Sequence, residues 1–174
     1  MVLLVVDTQK ALMNSELFEF ELFKSNITKL INTARDNDIE VIFVRHNDGE
    51  GNEFSKGETG FEIYDEFAPK ENETVFDKSF NSSFKDTGLN EYLSRKGVKN
   101  VIIVGLQTDF CIDATIKAGF ESGYNMIVPS YANSTFDNQY LSSAQAYSYY
   151  NEYIWKDRYA ECISLEDTVK FMIG

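Results

Sequence analysis

Val101-Ile-Ile-Val-Gly105-Leu-Gln-Thr-Asp-Phe-Cys111-Ile-Asp-Ala-Thr-Ile-Lys-Ala-Gly119 reads as a buried strand, a short turn and a helix in succession. Val101–Val104 is apolar without polar alternation, the pattern of a strand covered on both faces. Ile112, Ile116, Gly119 and Phe120 then recur at helical spacing, and Gly123 marks a stop. Strand followed directly by helix is the unit from which parallel sheets are built.

The same unit repeats outward in both directions. Val2–Val6, Ile39–Val44 and Met126–Val128 are further Val/Ile-rich runs, with Thr74–Phe76 and Glu161–Ile163 as weaker ones. Helical spacing appears at Phe23, Ile27, Leu30, Ile31 and Ala34, and at Leu89, Tyr92 and Leu93 before Gly97. Leu141, Ala144, Tyr147, Asn151 and Ile154 predict one long aromatic helix, and Leu165–Met172 a short last one. Strands alternating with helices predict an α/β fold, a parallel sheet covered on both faces with right-handed crossovers. One domain spanning 1–174 is expected, with no linker or repeat. Asn47–Lys70, which holds Gly49, Gly51, Gly57 and Gly60, interrupts the rhythm and is expected to run as a loop over the surface near the strand ends.

Ligands of open parallel sheets bind beyond the carboxyl ends of the strands. The residues that follow the apolar runs are Asp7; Arg45 and His46; Asp77, Lys78 and Ser79; Gly105 to Cys111; and Pro129, Ser130 and Tyr131. A carboxylate, an ammonium and a thiol can therefore meet on one rim. Cys111 falls in the first predicted turn, with Thr108 or Asp109 as N-cap, where the helix terminus and a nearby Lys78 would favour a thiolate. Each residue also has an ordinary reading. Cys111 suits a buried structural cysteine, Asp7 an N-cap for Thr8–Met13, and Lys78 a solvated strand end. Cys162 reads as core. Gln9, Phe18, His46, Phe84, Phe110 and Tyr131 are candidate walls of a substrate pocket, with plain packing as the alternative for the aromatics; His46 could instead hold the long loop by hydrogen bonds.

Composition excludes several function classes. With 28 acidic and 16 basic residues the net charge is −12, and no basic run exists to neutralise phosphates, so nucleic acid is not an expected partner. The first apolar run is too short for a signal peptide and no stretch suits a membrane span, which makes the cytoplasm the expected compartment. Two cysteines do not make a disulfide framework, and a single histidine supplies few ligands for a transition metal, so neither metal nor cofactor is expected. Tyr140, Tyr147, Tyr149, Tyr150, Tyr153, Trp155 and Tyr159 are too many aromatics for one buried face, and a homo-oligomer through this region is expected.

Three local patterns in order resemble the isochorismatase-like cysteine hydrolases. They are Leu3-Leu-Val-Val-Asp7-Thr-Gln9; Phe76-Asp-Lys78-Ser-Phe80-Asn-Ser-Ser-Phe84; and Val104-Gly-Leu-Gln-Thr-Asp-Phe-Cys111-Ile-Asp-Ala-Thr115. Gly119 to Pro129 and Ser134-Thr-Phe136 continue in the same manner. The resemblance implies a three-layer α/β/α domain with a six-stranded parallel sheet and an Asp7–Lys78–Cys111 triad. It implies a cis peptide between Leu106 and Gln107 and an oxyanion hole from the N–H groups of Gln107 and Cys111. It further implies hydrolysis of a small amide or carbamoyl compound through a thioester. Two departures matter: the metal-binding motif of nicotinamidases after the second strand is replaced by Arg45-His46-Asn47-Asp48, and Tyr149-Tyr150-Asn151 stands where many relatives have histidine. Cys111, which vinyl-ether-cleaving isochorismatases lack, is present and favours C–N hydrolysis. Hydrolysis of another bond, or a non-catalytic oligomeric binding role, are the competing expectations.

Overall fold

The computed structural model describes all residues, Met1–Gly174. The chain alternates strands and helices: β1 (Val2–Val6), α1 (Phe20–Asp36), β2 (Glu40–His46), β3 (Thr74–Lys78), α2 (Leu89–Arg95), β4 (Asn100–Leu106), α3 (Asp113–Glu121), β5 (Asn125–Pro129), β6 (Asn133–Ser134), α4 (Ser143–Ser148), β7 (Glu161–Ile163) and α5 (Leu165–Ile173). Six strands lie in the order β3-β2-β1-β4-β5-β7, and every ladder is parallel. The two-residue β6 is an addition to the expected six. β5 pairs β4 only along Asn100–Ile102, and β6 takes the vacated edge beside Gly105 and Leu106.

Side chains alternate across the sheet because the strand period is two. Leu3 and Val5 join Phe23, Ile27, Leu30 and Ile31 of α1 and Met172 of α5 in one core layer. Val2, Leu4 and Val6 join Leu89 and Leu93 of α2, Ile112 and Ile116, and Trp155 in the other. The result is three layers with two cores. No helix is long and apolar enough to cross a membrane.

Two expectations are corrected. The long aromatic helix is instead α4, opened by a Ser142/Gln145 capping box, and then a wide π-turn over Tyr149–Trp155. The π-turn buries Asn151, whose amide exchanges hydrogen bonds with Asn133 at 2.9 and 3.1 Å, and Trp155, whose indole N–H donates to Asp113 at 2.9 Å. Satisfying those buried polar groups outweighs regular winding. Within α4 itself Ala144 faces solvent and Ala146 is buried. The long loop is also only partly a surface loop. Phe61 and Phe67 are fully buried beside short 3-10 turns, and Ile63 bridges to Gln9. Burying a phenylalanine is worth roughly 2–3 kcal/mol, which pins the second half of the segment to the core.

Candidate active site

In chain order β1, β2 and β3 step to one side of the sheet, and β4 then starts on the opposite side of β1. The switch point is therefore the gap between the carboxyl ends of β1 and β4, where loops diverge and leave a crevice. Asp7 leaves β1 there with φ of 51°, and Cys111 follows the end of β4. Lys78, the last residue of β3, reaches across from two strands away.

The three side chains meet below the surface. The ammonium of Lys78 donates to Asp7 Oδ2 at 2.7 Å and to Cys111 Sγ at 3.2 Å. Lys78 and Asp7 are 2% and 1% exposed, which removes two of the ordinary readings: the lysine is not solvated, and no helix follows Asp7 for it to cap. The third contact of the ammonium is His46 Nδ1 at 3.0 Å. Asp7, His46 and Cys111 offer ligand atoms within 4.8 Å of one another, a spacing suited to a metal ion, but here the Lys78 ammonium touches all three.

The electrostatics differ from the expected resting thiolate. Burial pushes the Cys111 thiol up to about 12, and the neighbouring Asp7 carboxylate adds to this, against the pull of Lys78. Burial also raises the Asp7 carboxyl, opposed by Lys78. Cys111 lies in the first turn of a helical segment that winds as a π-turn over Thr108–Ile112 and runs straight on into α3, but no side chain caps it. The proposed caps are engaged elsewhere: Thr108 Oγ1 donates to Asn133, and Asp109 accepts from Thr135 Oγ1. Burial and the adjacent Asp7 carboxyl thus keep the proton on Cys111 Sγ at rest. Asp7 Oδ1 is buried with no hydrogen-bond partner, an open lone-pair site.

The raised thiols carry a stability consequence. Burial places Cys111 at about 12 and Cys162 at about 11, above the roughly 8.5 of a thiol in an unfolded chain. Between those values the folded state binds more protons than the unfolded one, so unfolding free energy falls as pH rises. The stabilisation is complete below about pH 8.5 and is lost as pH climbs through the folded values. Denaturant titrations across that range should show the decline, with a flatter slope in the Cys111→Ala/Cys162→Ala double variant. An equal slope in that variant would mean that the thiols titrate normally.

The expected pocket walls separate into two groups. Gln9 is fully buried and spent on structure: its amide donates to His46 O (2.9 Å) and Phe61 O (3.0 Å) and accepts from His46 N (2.7 Å). Phe84 stacks on Tyr124 at 5.7 Å, a packing role. Phe110 and Tyr131 are exposed, and Phe18 and Tyr131 both lie against Tyr147 at 5.2 and 5.1 Å. Two further residues reach the site that no expectation named: Asn81, three residues after Lys78, with Oδ1 3.9 Å from Cys111 Sγ, and Asp48, with Oδ1 2.8 Å from His46 Nε2. The peptide between Leu106 and Gln107 is cis, and the Gln107 N–H has no partner within the chain.

Residues 1–167 match the isochorismatase domain family. The chain belongs to the isochorismatase family. This isochorismatase-family hydrolase is 31% identical to the secreted isochorismatase effector Isc1 of Verticillium dahliae over 83% of its own length and 77% of the relative's. It is 29% identical to nicotinamidase 3 of Arabidopsis thaliana, covering 66% of the chain and 65% of the relative. An isochorismatase-family structure from Oleispira antarctica superposes with a TM-score of 0.87 at 28% identity, covering 97% of this chain and 95% of that one. The expected three-layer α/β/α fold is thus shared with solved members of the family.

Proposed function

We propose that this hydrolase cleaves the C–N bond of a small amide or carbamoyl compound, with Cys111 as nucleophile, Asp7 as general base and Lys78 as the charge that holds them together. The observation that carries this reading is the Lys78 ammonium within hydrogen-bond reach of both Asp7 Oδ2 (2.7 Å) and Cys111 Sγ (3.2 Å) at the switch point of the sheet. A scaffold has no need to bury a carboxylate, an ammonium and a thiol in one contact, since burying charge costs free energy.

As substrate enters, Asp7 takes the Cys111 proton while sulfur bonds to the carbonyl carbon. Negative charge moves to the carbonyl oxygen, for which the unpaired N–H of Gln107, together with that of Cys111, would serve as oxyanion donors. The C–N bond then breaks and the leaving nitrogen takes the proton back from Asp7. Water gives a proton to Asp7 and its oxygen attacks the thioester carbon. The C–S bond breaks, and the thiol recovers its proton as the acid is released. Lys78 stays charged throughout and stabilises whichever partner, carboxylate or thiolate, is negative.

A small-molecule substrate accords with the relatives, which include a nicotinamidase. Exposed Tyr149 and Tyr153 on the π-turn support a homo-oligomer through that face, although Trp155 and Tyr147 are used internally. The two free cysteines fit a reducing, cytoplasmic setting.

Ammonia release from a panel of small amides, ureas and carbamoyl compounds tests the reaction class. Release from at least one compound, with saturation, is expected. If none reacts and Cys111 never becomes acylated, the C–N assignment is wrong and cleavage of another bond or a binding role takes its place.

A further inference from the structure

An ammonium group has three N–H bonds, and that of Lys78 has three acceptors: Asp7 Oδ2, Cys111 Sγ and His46 Nδ1. Lysine has no lone pair to offer, so Nδ1 of His46 must be the acceptor in the third contact. The ring proton is thereby assigned to Nε2, which faces Asp48 Oδ1 at 2.8 Å. The chain of contacts runs Asp48–His46–Lys78, then forks to Asp7 and Cys111.

We infer that His46 is a positioning residue, whose Nδ1 lone pair holds the Lys78 ammonium between Asp7 and Cys111 and whose tautomer Asp48 sets. The inference rests on the triad reading proposed above. Its physical basis is an imbalance between the other two acceptors. A carboxylate is a much stronger partner for an ammonium than a neutral thiol is, and four methylenes let Nζ swing. With only those two partners the ammonium would turn fully onto Asp7 and leave the sulfur. A third acceptor on a rigid ring fixes the direction of all three N–H bonds.

The surroundings are built to keep that ring in place. His46 and Lys78 are register partners at the ends of β2 and β3. The backbone N–H and C=O of His46 are both clamped by the Gln9 amide. Phe54 meets the imidazole edge-on at 6.3 Å. Asp48 is held in turn, because the Asn52 amide donates to its carbonyl at 3.3 Å and Asn47 Oδ1 accepts from the Gly49 N–H at 2.9 Å. The first part of the loop after β2 is thus connected to the ammonium through a single imidazole.

Two substitutions separate the lone pair from the ring. Asn Oδ1 stands as many bonds from Cβ as His Nδ1, so His46→Asn keeps an acceptor and loses the ring. His46→Phe keeps the ring against Phe54 and loses the acceptor. The readout is the rate at which iodoacetamide modifies Cys111 near neutral pH, followed by peptide mass spectrometry so that Cys162 is counted separately, with thermal melting run alongside. His46→Phe should slow Cys111 by roughly tenfold, the equivalent of one unit in thiol pKa. His46→Asn should recover most of that loss. Retention by Phe with loss by Asn, equal loss in both, or no change in either would each overturn the inference. Lys78→Met is the control: if it too leaves the rate unchanged, the triad reading fails, whereas a slow Lys78→Met beside unaffected His46 variants removes only the role of His46.

Discussion

Cys111→Ala is expected to lower turnover by a factor on the order of 10⁴ or more, the scale seen when a nucleophile is deleted from a working triad. That factor corresponds to about 5 kcal/mol of barrier. Stability should change by only about 1 kcal/mol, or a few degrees in Tm for a chain of this size, because Cys111 sits at the margin of its core layer and Lys78 keeps two stronger acceptors. Wild-type protein quenched during turnover should carry an acyl mass on Cys111, and the variant should carry none. Burial raises the thiol to about 12 and also raises the Asp7 carboxyl, against the pull of Lys78, so the protonated thiol can react only once Asp7 has ionised to act as base. Activity should therefore fall as pH drops through an Asp7 value lying above the ordinary carboxylate range. Turnover that survives in Cys111→Ala would place the nucleophile elsewhere and end the thioester mechanism.

Gly105→Ala is expected to damage the fold itself. Gly105 has φ of 122°, a conformation that side-chain-bearing residues rarely adopt, and is the register partner of Val6 on β1. A Cβ there would lie 2.8 Å from both the carbonyl carbon and the nitrogen of Val6 and closer still to its oxygen. Those atoms are backbone at the centre of the sheet and cannot move aside. Overpacking together with backbone strain costs on the order of 3 kcal/mol or more, enough to consume a large share of ordinary domain stability. The close approach also sets the gap at the switch point, with Asp7 next after Val6 and the Gln107–Cys111 turn just beyond Gly105. Soluble yield and the denaturant midpoint are the measurements. A Gly105→Ala protein with the wild-type midpoint would show that β1 and β4 do not need this contact. Gly119→Ala is the useful contrast, since its nearest obstacles are the flexible Met126 side chain and the Phe84 ring edge.

Much of this molecule was legible in the chain as written. Runs such as Val2–Val6 and Val101–Val104 are short, apolar at every position and rich in Val, Leu and Ile, the pattern of strands covered on both faces, so strand type and the two helical layers follow locally. The α1 stripe of Phe23, Ile27, Leu30, Ile31 and Ala34 was buried as its spacing implied. Patterns fail where a buried polar group competes with the period. Asn151 turns from the helical path to pair with Asn133, and Trp155 reaches Asp113, so the fourth helix widens into a π-turn that no apolar count contains.

The candidate site divides along the same line. Its residue types and their places after strands can be read from the sequence, because chemistry in a parallel sheet gathers at carboxyl ends. Their meeting cannot: Asp7 and Lys78 are separated by 71 positions and Lys78 and Cys111 by 33, and they touch only because β1 lies between β2 and β4. Parallel strands share one apolar pattern and do not encode their neighbours. The charge state is likewise a property of the assembled fold. The sequence offers Cys111 beside a helix and near a lysine, which favours a thiolate; burial of the thiol against Asp7 reverses the sign. The sequence by itself therefore determined the layers, the strand ends and the inventory of reactive groups, because these depend on side-chain pattern within a few residues. Only the tertiary structure decided which groups touch, that Gln9 became a clip rather than a pocket wall, that His46 completes the coordination of Lys78, and which atom holds the proton at rest, because those depend on dielectric and distance across strands far apart in the chain.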